Sequence, residues 1–262
     1  MALQVAEKFF SVQGEGATVG TPAYFIRLQG CNLMCGGSNA SLVKEGKATW
    51  HCDTEAIWKK GITTSNEELE KAIDEACGID NVVDGRVHLV WTGGEPALPR
   101  SRTSIIEFID YFTNKYSDNM MYNEIETNGT VYVDVDDDKF YGTGFNAGSI
   151  CVIDQINCSP KLSNSGMHKR NRINSKAISQ ICNHNNYWFK FVISKEDDLK
   201  EIETDFIIPF DIDPTRVILM PACNNAKDLP EATRFLYEMA KKYKYRAVTR
   251  QHIIAYDKQT GV

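Results

Sequence analysis

Apolar runs of strand length alternate with amphipathic stretches along most of the chain. The strand-like runs fall at 23–28, 86–91, 121–127, 151–157, 188–194, 216–220 and 247–254. Between them the apolar spacing turns helical. Ser65 and Glu68 stand at capping-box spacing, and Leu69, Ile73 and Ala76 then recur on one face. Segment 104–116 carries Ile105, Ile106, Phe108, Ile109 and Phe112, and segment 228–243 carries Leu229, Ala232, Phe235, Leu236 and Met239. Strand–helix alternation predicts an α/β fold with parallel pairing and right-handed crossovers. Six or seven such strands fall one or two short of a full eight-stranded barrel. Two segments break the rhythm. Residues 36–50 are polar and rich in Gly, Ser and Lys, and read as a loop inserted at about 37–50. Residues 132–148 hold Asp134, Asp136, Asp137 and Asp138, then Gly142, Gly144 and Gly148. They lack the Gly and terminal Glu spacing of a calcium loop, so an irregular solvated excursion is expected. With no internal repeat and no boundary, residues 1–262 read as a single domain.

Composition narrows the setting. The chain has 262 residues, 42% hydrophobic and 24% charged, as in ordinary globular proteins. No run approaches the ~20 apolar residues of a membrane span. The first ten residues include Glu7 and Lys8 and no signal core, so a cytoplasmic location is expected. Lys plus Arg number 29 against 35 Asp plus Glu, a net charge of −6. That balance gives no footprint for nucleic acid or an anionic membrane. Eight cysteines in a reducing compartment raise a question about metals and catalysis, not disulfides.

Cys31, Cys35 and Cys52 fall within 22 positions, whereas Cys77, Cys151, Cys158, Cys182 and Cys223 are scattered singly. The scattered thiols read as small buried hydrophobes. The clustered ones read as ligands of a soft metal or an iron–sulfur cluster, since three thiolates leave one iron of a four-iron cluster open. A structural zinc with His51 as fourth ligand satisfies the same spacing.

The chain then becomes recognisable by its motifs. Phe10-Ser-Val-Gln-Gly-Glu-Gly16, Phe25-Ile-Arg-Leu-Gln-Gly-Cys-Asn-Leu33 and Cys52-Asp-Thr54 resemble the 7-carboxy-7-deazaguanine synthases, a radical SAM family. Thr92-Gly-Gly-Glu-Pro96, Glu126-Thr-Asn-Gly-Thr130, Ser159-Pro-Lys161, Lys190-Phe-Val192, Leu219-Met-Pro221 and His252 follow in order. One departure stands out. Three residues separate the first two cysteines but sixteen separate the second and third, where the common radical SAM pattern has two. The 37–50 insertion fills that gap. A longer loop adds little closure entropy, about 0.6 kcal/mol per doubling, so a cluster still forms if the loop bulges outward.

The resemblance implies a partial TIM-like (β/α)6 radical SAM barrel with the cluster at its mouth. It also implies a reaction. A 4Fe-4S cluster on Cys31, Cys35 and Cys52 reduces bound S-adenosylmethionine, and the resulting radical takes a hydrogen from C6 of 6-carboxy-5,6,7,8-tetrahydropterin. The ring contracts beside Mg2+, ammonia leaves and 7-carboxy-7-deazaguanine forms, for queuosine-type 7-deazapurines. A flavodoxin- or ferredoxin-like donor and a homodimer are expected on the same ground.

By resemblance, His51, Asp53, Gly94, Glu95, Glu126, Asn128, Ser159, Pro160, Lys161, Met220, Pro221, Ala222 and Cys223 approach S-adenosylmethionine. Val12, Gln13, Gly14, Glu15, Arg27, Thr92 and His252 approach the pterin, and Thr54 supplies the protein ligand of Mg2+. The residue types suit these tasks. Gln13 and Glu15 offer donors and acceptors to a pterin edge. Arg27 can pair bidentately with a carboxylate, although a buried structural ion pair is the alternative. Two glycines at 93 and 94 let a ligand lie against bare backbone. Mg2+ keeps several waters, so one protein oxygen suffices, while Asp53 and Thr54 equally suit a helix cap. Lys161 alone reads as a surface lysine beside Pro160, and His252, in an apolar run, as structural. Rival readings are another radical SAM enzyme, such as a glycyl-radical activase, and a zinc-stabilised binding protein. Anaerobically purified protein is expected to be brown, with visible absorbance and bound iron. A colourless protein holding one zinc per chain is the contrary result.

Overall fold

The computed structural model describes residues 2–116, 120–134, 139–142 and 151–262. The strands are β1 (Leu3–Val12), β2 (Pro22–Leu28), β3 (Ile62–Thr64), β4 (His88–Gly93), β5 (Asn123–Thr127), β6 (Gln155–Cys158), β7 (Tyr187–Ile193), β8 (Val217–Pro221) and β9 (Arg246–Ala247). Among the described residues they form one nine-stranded sheet, ordered β3-β1-β2-β4-β5-β6-β7-β8-β9. β1 runs antiparallel to β2 and β3, and every pairing from β2 to β9 is parallel. The α/β parallel arrangement is as expected. The outer strands β3 and β9 are not paired with each other, so the sheet is open.

β1 pairs with β2 through a register shift between Val5 and Glu7. Its odd-numbered positions stay the less exposed ones throughout, but Glu7 and Ser11 stand on that face while Phe10 and Val12 lie on the exposed one, so apolar and polar residues do not alternate and the segment does not read as one strand. The expected strand at 247–254 is a second difference. β9 ends at Ala247, and Gln251–Tyr256 is a helix. Ile253 is buried and Ile254 exposed, but His-Ile-Ile-Ala is too short for spacing alone to separate the two states.

The parallel strands are apolar because helices cover them. Helix Pro99–Lys115 buries Ile105, Phe108, Ile109 and Phe112, and Phe108 meets Trp91 of β4 edge to face at 5.6 Å between centroids. Full burial of such a ring stabilises by about 2–3 kcal/mol. Helix Asn66–Cys77 begins as its sequence suggests: Ser65 Oγ accepts from Glu68 N and the Glu68 carboxylate accepts from Ser65 N.

The insertion is not an outward bulge. Ser38–Ala40 form a 3-10 turn and Ser41–Lys44 a helical turn. Gly36 N donates to Ser165 O at 2.8 Å, and Thr49 N donates to Asn164 O at 2.9 Å. Ser38 Oγ and Asn39 N donate to the Glu55 carboxylate, which also pairs with Lys59. The segment therefore lies along 163–166 of its own chain. Within the 132–148 excursion, Val133, Phe140 and Tyr141 are buried; positions 135–138 and 143–148 lie outside the described residues.

Gly93 and Gly94 line the cavity and also answer a packing demand. A Cβ on Gly94 would stand 1.7 Å from Gly30 O, so the turn after β4 lies against the turn leading into Cys31. Gly94 N donates to Leu28 O and Glu95 N to Gly30 O. Gly94→Ala must push the two backbones apart. A loss of about 1–3 kcal/mol is expected in denaturant unfolding, as for overpacking, together with reduced iron loading.

Candidate functional site

The carboxyl ends of the parallel strands open on one cavity of about 780 Å³. The turns after parallel strands carry the chemistry in such sheets because their backbones are free to vary. Cys31 follows β2, Gly94 follows β4, Asn128 follows β5, Ser159 follows β6 and Ala222 follows β8. Of the expected site residues, all line the cavity except Glu95 and Pro160.

Cys31, Cys35 and Cys52 all face this cavity. Cys52 N donates to Cys35 O at 3.1 Å, so the second and third cysteines are bonded across the insertion. Cys31 is braced from β5: Asn128 Nδ2 donates to Asn32 Oδ1, and Asn32 Nδ2 donates to Thr130 Oγ1. Burial pushes the Cys31 thiol up to about 12 and raises that of Cys35. As free groups these thiols are neutral, so a metal that takes them as thiolates releases protons on binding. Among the described residues no three His, Cys, Asp or Glu side chains gather around a point that one ion could occupy.

Glu95 is buried at 1% exposure. Its carboxylate accepts from Thr127 Oγ1 (2.7 Å), Asn128 N (2.7 Å) and Ala97 N (2.9 Å). It fixes the end of β5 from behind the wall. Pro160 is likewise buried beneath the surface that Ser159 and Lys161 present. Thr54 precedes the turn Glu55–Trp58 but its hydroxyl makes no capping bond; it lies 3.4 Å from Cys52 Sγ.

A second, charged group shares the cavity. Gln13 is buried and its Oε1 accepts from Glu15 N, while its Nε2 donates to Glu126. Gly14 admits His252, whose Nδ1 would stand 2.4 Å from any Cβ there. Lys190 pairs with Glu126 and lies 3.6 Å from Glu15. Arg250 donates from Nε to Glu15 (2.8 Å), from Nη2 to Asp53 (2.7 Å) and from Nη1 to Cys223 O (2.9 Å). One guanidinium thus ties three cavity segments together. Arg27 contacts Glu7 at 2.8 Å through Nε and lies over Phe9. Its terminal nitrogens have no hydrogen-bond partner among the described residues, and the side chain lines the cavity.

Sequence reasoning placed Lys190 in a motif match without giving it a role, and it did not single out Arg250 or Trp50. Lys190 had a signal, a lone lysine inside the apolar strand Tyr-Trp-Phe-Lys-Phe-Val-Ile. Arg250 had none, because its partners Glu15 and Asp53 are 235 and 197 positions away.

Burial opposes ionisation of Glu15, but Arg250, Lys190 and His252 outweigh it and hold the carboxyl well below its usual range. Lys190 is the converse: burial works against its charge, and Glu126 and Glu15 raise its pKa nonetheless.

No family model matches the chain. Its α/β fold is shared with a solved structure: the crystal structure of QueE from Escherichia coli superposes with a TM-score of 0.60 at 24% identity, over 96% of this chain and 95% of that one. Sequence similarity goes further. The chain is 29% identical over 259 residues to the 7-carboxy-7-deazaguanine synthase of Pyrobaculum aerophilum, covering 99% of this chain and 97% of that protein. It is 28% identical over 274 residues to the synthase of Rhodopirellula baltica, covering 99% and 89%. The resemblance carried by the motifs thus extends along nearly the whole chain.

A carboxylate held below its ordinary pKa stabilises the fold above that ordinary value, about 4.3, and ceases to do so as the pH falls towards its folded pKa. Glu15→Gln, which leaves Arg250 and Lys190 without this charge, should destabilise most at neutral pH. The stability gap to the parent protein should narrow below about pH 4 in urea titrations across pH. A gap that widens on acidification would contradict the assignment.

Proposed function

We propose that the protein is a 7-carboxy-7-deazaguanine synthase that uses radical SAM chemistry. One observation carries the reading: a single cavity receives both the Cys31, Cys35 and Cys52 thiols and the Gln13, Glu15 and Arg27 group. The donor set fits a 4Fe-4S cluster, with three thiols facing one space. When bound, such a cluster supplies the electron that cleaves S-adenosylmethionine.

The protein's own residues do the orienting. Asn128, Ser159, Lys161 and the Met220–Cys223 turn present polar groups and backbone on the cofactor side. Gln13 and the ionised Glu15 take up the pterin edge, one donating and accepting, the other accepting only. The free ends of Arg27 receive the substrate carboxylate as a planar, two-point contact. Thr54 offers its hydroxyl to Mg2+, with water and substrate oxygens completing the shell. Lys190 is a buried ammonium paired with Glu126 and 3.6 Å from Glu15, and it helps hold both carboxylates ionised. A flavodoxin- or ferredoxin-like protein supplies electrons, the protein acts as a homodimer, and its location is cytoplasmic; in support of the last, no helix among the described residues is long and apolar enough to cross a membrane.

The test is direct. Reconstituted protein, S-adenosylmethionine, dithionite, Mg2+ and 6-carboxy-5,6,7,8-tetrahydropterin should yield 7-carboxy-7-deazaguanine by mass spectrometry. Cofactor cleavage without that product would overturn the substrate assignment. Arg27→Lys should raise KM for the pterin about tenfold, ~1.4 kcal/mol for the lost second contact, with kcat less affected.

A further inference from the structure

The insertion between Cys35 and Cys52 reaches the cavity through Val43, Thr49 and Trp50. It is pinned at Thr49 and at Trp50 itself. Thr49 N donates to Asn164 O at 2.9 Å and Thr49 Oγ1 to Ser194 Oγ at 3.2 Å. The indole Nε1 of Trp50 donates to Asn164 Oδ1 at 2.9 Å, and Asn164 is itself buried and bonded to Val192 O and Asp198. The ring therefore has a fixed edge and a fixed orientation.

What that ring faces is Lys161. The Lys161 ammonium lies 5.7 Å from the Trp50 ring centroid, within cation–π range, and donates to Ser159 Oγ at 3.1 Å. Among the described residues no carboxylate stands within ion-pair distance of it. Its charge is felt by Cys31, Cys35 and Glu95, so it sits beside the thiol wall. An ammonium held by an aromatic face and a hydroxyl keeps its full charge for an incoming anion. A long flexible lysine would otherwise sample many rotamers there, and fixing it in advance lowers the entropy cost of binding.

We propose that Trp50 is a positioning residue for the cofactor, supplied by the insertion. It aims Lys161 at the carboxylate of an amino-acid-bearing ligand seated at the thiol wall. On the function proposed above, on which this inference rests, that ligand is S-adenosylmethionine.

The probe is S-adenosylhomocysteine, titrated calorimetrically into anaerobically reconstituted full-length protein, with iron measured on each sample. Trp50→Phe keeps an aromatic face and Trp50→Leu keeps apolar bulk without one. Trp50→Phe should bind within about twofold of the parent, and Trp50→Leu about three- to tenfold more weakly, the range of a cation–π contact. Iron content should be equal in both. In a Lys161→Met background the difference between Phe and Leu at position 50 should vanish. Equal binding by the two variants, with Lys161 present and iron matched, would overturn the role of the ring. A difference that persists without Lys161 would overturn its action through the ammonium. If the parent protein itself fails to bind the probe, the cofactor reading fails, and the role of Trp50 falls with it.

Discussion

The site depends on a close backbone contact at the head of the sheet. Gly94 lies against Gly30, and the buried Glu95 beside it accepts from Thr127, Asn128 and Ala97 while its own N–H donates to Gly30 O. The contact joins the turns after β2, β4 and β5. A buried carboxylate with three good donors is stable only while all three stay in place, since each orphaned partner costs about 1–3 kcal/mol. Burial raises the pKa of Glu95 against the three donors that favour its charge. Cys31 and Asn128 take their positions from it.

From that joint the cavity acquires two chemical characters. The thiols and Lys161 make one region, and the chain of Gln13, Glu15, Arg250, Lys190 and Glu126 makes another. Asp53 links them, since it follows Cys52 in sequence and pairs with the arginine that also holds Glu15. The residue after Cys52 and the Glu15 carboxylate are thus joined through one guanidinium. Opposite charges are nearly matched across this network, which lets several ionised groups share a largely buried space.

Much of this was legible in the sequence, and the exceptions have physical causes. Parallel strands such as β7 and β8 are continuous apolar runs, and their turns carry the motifs, so the strand ends and the candidate residues were found together. β1 was missed because Glu7 and Ser11 stand on its less exposed face and Phe10 and Val12 on its exposed one, and the last apolar run was misread because spacing cannot separate a short strand from a short helix. The Gly93–Gly94 pair was visible, but its reason was not: a ligand surface and a backbone–backbone contact demand the same residue. The insertion read as a polar loop because what holds it, Asn164 and Glu55, lies outside it. Arg250 was beyond reach, since an arginine among polar neighbours announces nothing about partners some 200 positions away.

The central claim is that cofactor and pterin meet in one cavity, close enough for hydrogen transfer. Substrate carrying deuterium at C6 tests this most directly. Substrate and product plus ammonia contain the same atoms, so the hydrogen taken from C6 must be given back from the 5′ position before the product is complete. During turnover, deuterium should therefore appear at C5′ of the recovered S-adenosylmethionine or 5′-deoxyadenosine while 7-carboxy-7-deazaguanine forms. Unlabelled 5′-deoxyadenosine, produced while the pterin remains intact, would contradict the account.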